Sequence, residues 1–209
     1  MTNPADKVTC FITRPADEGT ELLLFNHPHA GVQIPAGTVN PGEEIETAAR
    51  REAAEESGLD NLILLGALGE QDDTPPAGHL VVSLPTPVYS RPDGNSLAWA
   101  HFNTGLLVEK LRQAAGFTQI SYAETDRYID PQYTTYCITG WVPDETLTHQ
   151  RIRHFYLFEA SGETHPQWSV STDNHIFELF WALLNDLPPI APPQDSWLKW
   201  LMDSDLAGL

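Results

Sequence analysis

Positive charge is scarce in this chain: 11 Lys and Arg stand against 29 Asp and Glu, a formal net charge of −18 over 209 residues. A nucleic-acid polymer is excluded as a partner, because binding one needs Lys and Arg in number to release its phosphate counterions. An anionic membrane surface is excluded on the same ground. Cysteine is scarcer still. Cys10 and Cys137 are too few for a disulfide framework and lack metal-ligand spacing, so both are expected to be buried thiols. Long apolar runs are missing as well: IFELFWALL at 176–184 is short, broken by Glu178, and well below a bilayer span. The opening MTNPADKV has neither the basic nor the apolar region of a secretory signal. Together these features imply a soluble, cytoplasmic protein with a small-molecule partner, a homodimer being left open. The 8 His (His27, His29, His79, His101, His149, His154, His165 and His175) are scattered, and none pairs at zinc spacing.

What the chain does have is concentrated in residues 37–59, GTVNPGEEIETAARREAAEESGL. Asn40 followed by Pro41 and then Glu43 predicts a helix start near Pro41, with Asn40 as the cap and Glu43 reaching back to it. Ile45, Ala48, Ala49 and Ala53 recur at three- and four-residue spacing, a narrow stripe of mostly small side chains able to approach a sheet closely. Gly58 supplies the left-handed residue that ends a helix. Glu52, Glu55 and Glu56 then share one face of the last turns, where they repel one another and oppose the helix dipole. A solvated acidic helix end is the bland reading. A hard cation resolves the conflict, and oxygen donors without nearby His or Cys suit Mg²⁺ or Mn²⁺ rather than Zn²⁺.

The register of the same stretch is Gly37, five residues, Glu43, seven residues, then Arg51-Glu52-Ala53-Ala54-Glu55-Glu56-Ser57-Gly58-Leu59. It resembles the signature of the Nudix hydrolase family, with every fixed position filled. The resemblance implies an α/β fold, a Nudix-type α/β/α sandwich with a mixed β-sheet. It implies that Glu52, Glu55 and Glu56 ligate Mg²⁺ or Mn²⁺, that Gly37 offers its carbonyl to the metal, and that Arg51 orients a ligand carboxylate. The catalytic set it implies is Arg51, Glu52, Glu55 and Glu56. Glu43 is either a remote partner of the ligands or the capping residue, and the cap is favoured.

Around this helix, VTCFIT (8–13) and ELLLFNH (21–27) read as strands joined by a turn. GVQIP (31–35) is a short third strand, NLILLGALG (61–69) a buried one and RIRHFYLFEA (151–160) another. HIFELFWALL (175–184) fits a strand or a short helix, and DSWLKWLM (195–202) a helix. Residues 70–150 exceed that plan. They are expected to hold a hairpin about Pro-Asp-Gly-Asn, a helix over GLLVEKLRQAAGF ending at Gly116, and two strands over ISYAETDRYI and TTYCITGWV. Without a Pro/Gly/Ser linker on the far side, this segment reads as an insertion elaborating a single domain of residues 1–209.

The implied activity is metal-dependent hydrolysis of a phosphoanhydride in a nucleoside diphosphate linked to another moiety, ADP-ribose or a nucleotide sugar being candidates. Pro75 and the Pro-Ala-Gly at 35–37 are reminiscent of the ADP-ribose pyrophosphatases of the family, although a Thr-Pro-Pro loop needs no such reason. A non-catalytic nucleotide-binding sensor on the same fold is the alternative. Glu159, Glu163, His175 and Glu178 lie where family members often place a further acid or base. Arg127, Arg151 and Arg153 are the cations best suited to a distal phosphate. Trp99 and Tyr122, with Tyr128, Tyr133, Tyr136 and Trp141, offer stacking surfaces, although most such aromatics are core.

Overall fold

The computed structural model describes residues 4–126, 132–172 and 175–205. They fall into two compact units, one made of Val8–Gly37, Glu44–Glu70 and His154–Leu209, the other of Met1–Lys7, Thr38–Glu43 and Gln71–Arg153.

The first unit is built on a sheet whose strands run in the order β14 (Gln167–Thr172), β15 (His175–Leu183), β2 (Gly19–His27), β1 (Lys7–Ala16), β13 (Ile152–Ala160) and β5 (Leu62–Asp72). Two short strands, β3 (Gly31–Gln33) and β4 (Ala36–Thr38), pair with β2 and β1. Alternation along the strands sends side chains to two covered faces. On one face Phe11, Leu22, Leu24, Phe155 and Leu157 pack with Trp197 and Leu201, which come from the 3-10 turn Gln194–Trp197 and from α2 (Leu198–Met202). On the other lies α1 (Ile45–Ser57), close enough for the Cys10 thiol to donate to the Ala49 carbonyl at 3.3 Å. That approach follows from the small stripe: Ala48, Ala49 and Ala53 are fully buried. The unit is thus an α/β/α sandwich, and each large apolar side chain it buries contributes about 1.5–3 kcal/mol.

The second unit is all-β: β12 (Leu147–Thr148), β6 (His79–Val82), β9 (Leu107–Ala114), β10 (Phe117–Thr125), β11 (Thr134–Pro143), β7 (Thr86–Tyr89) and β8 (Ala98–Phe102), in that spatial order. Every adjacent pair is antiparallel. Leu80, Val82, Val88, Phe102, Val108, Ile120 and Val142 form its core.

Four sequence expectations are corrected. The first helix begins at Ile45, not near Pro41. Gly42 sits at φ 79°, a left-handed turn that a right-handed helix cannot pass through, and Glu44 is extended. Glu43 does reach back, its carboxylate accepting the Asn40 N–H at 2.9 Å, but it closes a turn ahead of the helix rather than capping it. GLLVEKLRQAAGF is strand β9 and a tight turn, since Ala115 and Gly116 both have positive φ and Ala114 pairs with Phe117. Its good helix formers yield to two strand partners, β6 and β10. NLILLGALG is an edge strand with alternating exposure, Ile63 and Leu65 facing outward, rather than a buried one. Cys137 is exposed, because it lies on the open part of β11; Cys10 is buried as expected. The apolar run from His175 is a strand, with Phe177, Leu179 and Trp181 alternating inward.

Candidate active site

Glycine at position 37 is where the loop and the helix meet. A Cβ placed there would lie 1.9 Å from Glu52 Cδ and 2.1 and 2.2 Å from its two oxygens, so the Glu52 carboxylate rests directly on the Gly37 backbone. One residue earlier, the Ala36 N–H donates to Glu56 Oε2 at 2.8 Å. Two carboxylates four residues apart on α1 therefore clasp successive residues of β4, as the helical period requires of side chains on one face. Glu56 is 7 % exposed. A charge so enclosed is costly unless hydrogen-bonded or paired.

For Glu56 the Ala36 N–H provides such a bond; Arg51 compensates the other two acids. Its Nη1 donates to Glu52 Oε1 at 2.8 Å and to Glu55 Oε2 at 3.1 Å, so one guanidinium spans two carboxylates. Glu55 is the open member of the trio, its side chain 54 % exposed against 12 % for Glu52. The negative field reaches the sheet: burial pushes the Cys10 thiol well above its ordinary value, and the charges of Glu56 and Glu52 push it further. The end of the helix is held from outside. Gly58 takes a left-handed φ of 67° and returns its N–H to Ala54, while the Trp168 indole N–H donates to the Ser57 carbonyl at 2.7 Å. Trp168 lies 111 residues along the chain from Ser57, and no local pattern announces that contact.

Among the described residues, no three His, Cys, Asp or Glu side chains converge as a ready-made metal cage. The donor chemistry nevertheless fits a hard divalent ion. Glu52 and Glu56 are enclosed oxygen donors against the Gly37–Ala36 backbone, and Glu55 is held beside them by Arg51. Gly37 leaves its backbone uncovered by any side chain of its own, and the space a Cβ would need is filled by carboxylate.

Alternation sorts the late candidates. On β13, Phe155 and Leu157 belong to the α2 face, so Glu159 follows them there. On β15, Phe180 and Ala182 pack against the same face, so Glu178 lies away from α1 whereas His175, in phase with Phe177, lies on the α1 face. Glu163 is on an exposed loop, in an open groove with Arg14 and Thr164. In the β-rich unit, Arg151 and Arg153 are both taken up by Asp73, at 3.0 and 3.2 Å. Burial also holds the Arg153 guanidinium below its usual value, in spite of Asp73. Trp99 is half-exposed, and Tyr122 packs edge-on against Phe102 and donates to Glu124. Arg127 and Tyr128 lie outside the described residues.

One grouping has no counterpart in the sequence expectations. His27, His29 and His175 stand in mutual ring contact, with centroids 5.0, 5.8 and 6.0 Å apart. Burial, then His175 and His29, hold His27 below the ordinary imidazole value. The only local signal is the His-Pro-His of the β2–β3 turn; the third member comes from β15.

Comparison with known proteins gives one family: the model of the NUDIX domain matches residues 3–94. No curated protein matches the chain.

Proposed function

We propose that the chain is a hydrolase of the Nudix family, whose domain model matches residues 3–94, that it acts on acid anhydrides in phosphorus-containing compounds, and that its substrate is a nucleoside diphosphate linked to a second moiety. The observation that carries the reading is the clasp of Glu52 and Glu56 on Gly37 and Ala36. It fixes two enclosed carboxylates against backbone, an arrangement costly for a scaffold helix and well suited to a pyrophosphate site that is completed by cation. ADP-ribose and nucleotide sugars are the first substrates to test. We take residues 70–150 as an elaboration of one domain, the NUDIX match running past residue 70 to 94, although Gln71–Arg153 fall in a second compact unit. Among the described residues, no helix is long and apolar enough to cross a membrane.

Glu52, Glu55, Glu56 and the Gly37 carbonyl would hold Mg²⁺ or Mn²⁺. When bound, the ion supplies neutralisation of the pyrophosphate oxygens and of the charge that develops during cleavage. The chain's own work is positional and electrostatic. Glu56 is locked by the Ala36 N–H, and Glu52 by the Gly37 backbone and Arg51, so neither has to reorganise when substrate arrives. Arg51 holds Glu55 in reach by a single hydrogen bond at a solvent-accessible position. The proton of the attacking water passes to a carboxylate of this trio. A negative protein slows the approach of a negative substrate, so recognition depends on the local site rather than on long-range steering.

The test is a panel of ADP-ribose, nucleoside diphosphate sugars, nucleoside triphosphates and dinucleoside polyphosphates with Mg²⁺ and with Mn²⁺, scored by nucleotide or phosphate release. A preference for diphosphate-linked compounds supports the assignment. Preference for triphosphates, or no turnover across the panel, overturns it.

A further inference from the structure

We propose that Trp168, on the edge strand β14, is a positioning residue for the carboxylate helix, a role that rests on the reading of that helix as the hydrolytic centre. Its indole N–H anchors the last turn of α1 and so keeps Glu52 and Glu56 seated on Gly37 and Ala36. The last carbonyls of a helix have no donor within the helix, and in α1 this end also carries Glu55 and Glu56, whose charges oppose the helix dipole. No basic residue lies in the last turn to offset them. Two N–H groups do the work instead: Gly58 closes on the Ala54 carbonyl at 2.8 Å, and Trp168 Nε1 donates to the Ser57 carbonyl at 2.7 Å. Ser57 is fully buried. Loss of the indole donor would leave its carbonyl enclosed and unsatisfied, which costs more than the bond itself contributes.

The donor is braced from several sides. β14 pairs with β15, Trp168 opposite Leu179 and Val170 opposite Phe177, so Trp168 and Val170 share one face of the sheet. Both reach the helix stop: a Cβ at Gly58 would stand 2.8 Å from Val170 Cγ2 and 3.8 Å from Trp168 Nε1. The Trp168 ring meets the Trp181 ring with centroids 6.2 Å apart. Trp181 is fixed in turn, its N–H donating to the His165 carbonyl at 3.1 Å and the Arg14 guanidinium lying 4.3 Å over its ring. The last turn of α1 is therefore gripped at two neighbouring residues, through the Glu56 carboxylate by the Ala36 N–H and through the Ser57 carbonyl by Trp168. A turn released at Ser57 frays where its acids repel one another, and Glu56 then loses its fixed position on β4.

The experiment compares wild type with Trp168→Phe, which keeps an aromatic ring and removes the N–H. In the metal-free protein, amide hydrogen exchange read by NMR should quicken about fivefold at residues 55–58, the worth of one hydrogen bond, and stay as in wild type at residues 45–49. Titration with Mg²⁺, read by melting temperature, should need about fivefold more ion in the variant. On the best substrate of the panel, kcat should fall at limiting Mg²⁺ and recover at excess Mg²⁺, with KM for substrate unchanged. Leu201→Val, a core change on the α2 face, is the control for stability loss alone and should leave the Mg²⁺ midpoint where it is in wild type. Val170→Ala should move exchange and midpoint in the same direction as Trp168→Phe, and carries the test if the latter does not fold. Wild-type exchange at residues 55–58, or a wild-type Mg²⁺ midpoint, in the folded variants overturns the proposal. Shifted exchange and midpoint without turnover would fail the hydrolase reading alone, whereas turnover with an unshifted last turn would fail the anchor alone.

Discussion

Replacing Gly37 by alanine is the sharpest probe of the site, because it adds one methyl group at the point where loop and helix touch. An ordinary contact begins near 3.4 Å, whereas the new Cβ would stand 1.9 Å from Glu52 Cδ, so the carboxylate must withdraw by about 1.5 Å. The Gly37 backbone is not in the left-handed region, hence alanine fits it without strain and restricts the unfolded chain, a gain of about 0.4–1 kcal/mol. Displacing a reacting group by ~1 Å costs about a hundredfold in rate, or ~2.7 kcal/mol of barrier. Gly37→Ala should therefore melt at or slightly above the wild-type temperature while kcat falls about a hundredfold, measured by nucleotide release with Mg²⁺ on the best substrate of the panel. Shortening the acid in the same background provides an internal control. Glu52→Asp draws the carboxylate back by about one carbon–carbon bond, so the double variant should be no slower than the slower single one, a departure from additivity expected of touching residues. Wild-type turnover in Gly37→Ala would refute the placement of Glu52 at the reacting centre. A collapsed melting temperature with surviving activity would refute the steric reasoning.

Glu52→Gln and Glu56→Gln should each abolish turnover while stability holds, because an amide oxygen at position 56 can still accept the Ala36 N–H and the like-charge repulsion on α1 falls; melting curves beside activity assays decide this. Arg51→Ala should lower kcat less than either, since it orients Glu52 and Glu55 without itself holding the ion. Millimolar Mg²⁺ or Mn²⁺ should raise the melting temperature of wild type, by mass action on the folded state, and should fail to do so in the Glu52→Gln, Glu56→Gln double variant; an equal rise in both would move the ion elsewhere. Tyr156 is held above the ordinary 10.0 by burial first and the Glu46 charge second, so the folded protein keeps this proton longer than the unfolded chain. Its contribution is complete below about pH 10 and is lost as pH rises through the folded value, and Tyr156→Phe should flatten the alkaline limb of the stability curve.

The carboxylate helix is legible in the sequence because its determinants are local: small residues at helical spacing, acids on one face, and a glycine stop. Its first turn is not, because Gly42 can adopt either hand, and only the closed Asn40–Glu43 turn selects the left one. The same limit explains residues 105–116. Leu107, Leu111 and Ala114 fit a helical stripe, and only the partners β6 and β10 make Val108, pointing inward, the residue that matters. Edge position is likewise invisible in NLILLGALG, since an apolar run does not say which strand of the sheet has a single neighbour.

Tertiary contact decides the chemistry at the carboxylate helix. The register of residues 37–59 places a glycine fifteen positions before a glutamate, yet it does not say that one rests on the other. The helix must first be laid against the sheet by Ala48, Ala49 and Ala53 before Glu52 and Glu56 arrive at β4. A larger stripe would hold α1 farther off and release the clasp, so the alanines matter to the site as well as to the core. The histidines make the complementary case. His27 and His29 are ordinary turn residues until β15 pairs with β2 and brings His175 beside them. Carboxylates clustered on one helix are destabilised by one another and call for a hard cation, whereas the three rings, gathered from two elements, meet one another and Phe177 as ring contacts.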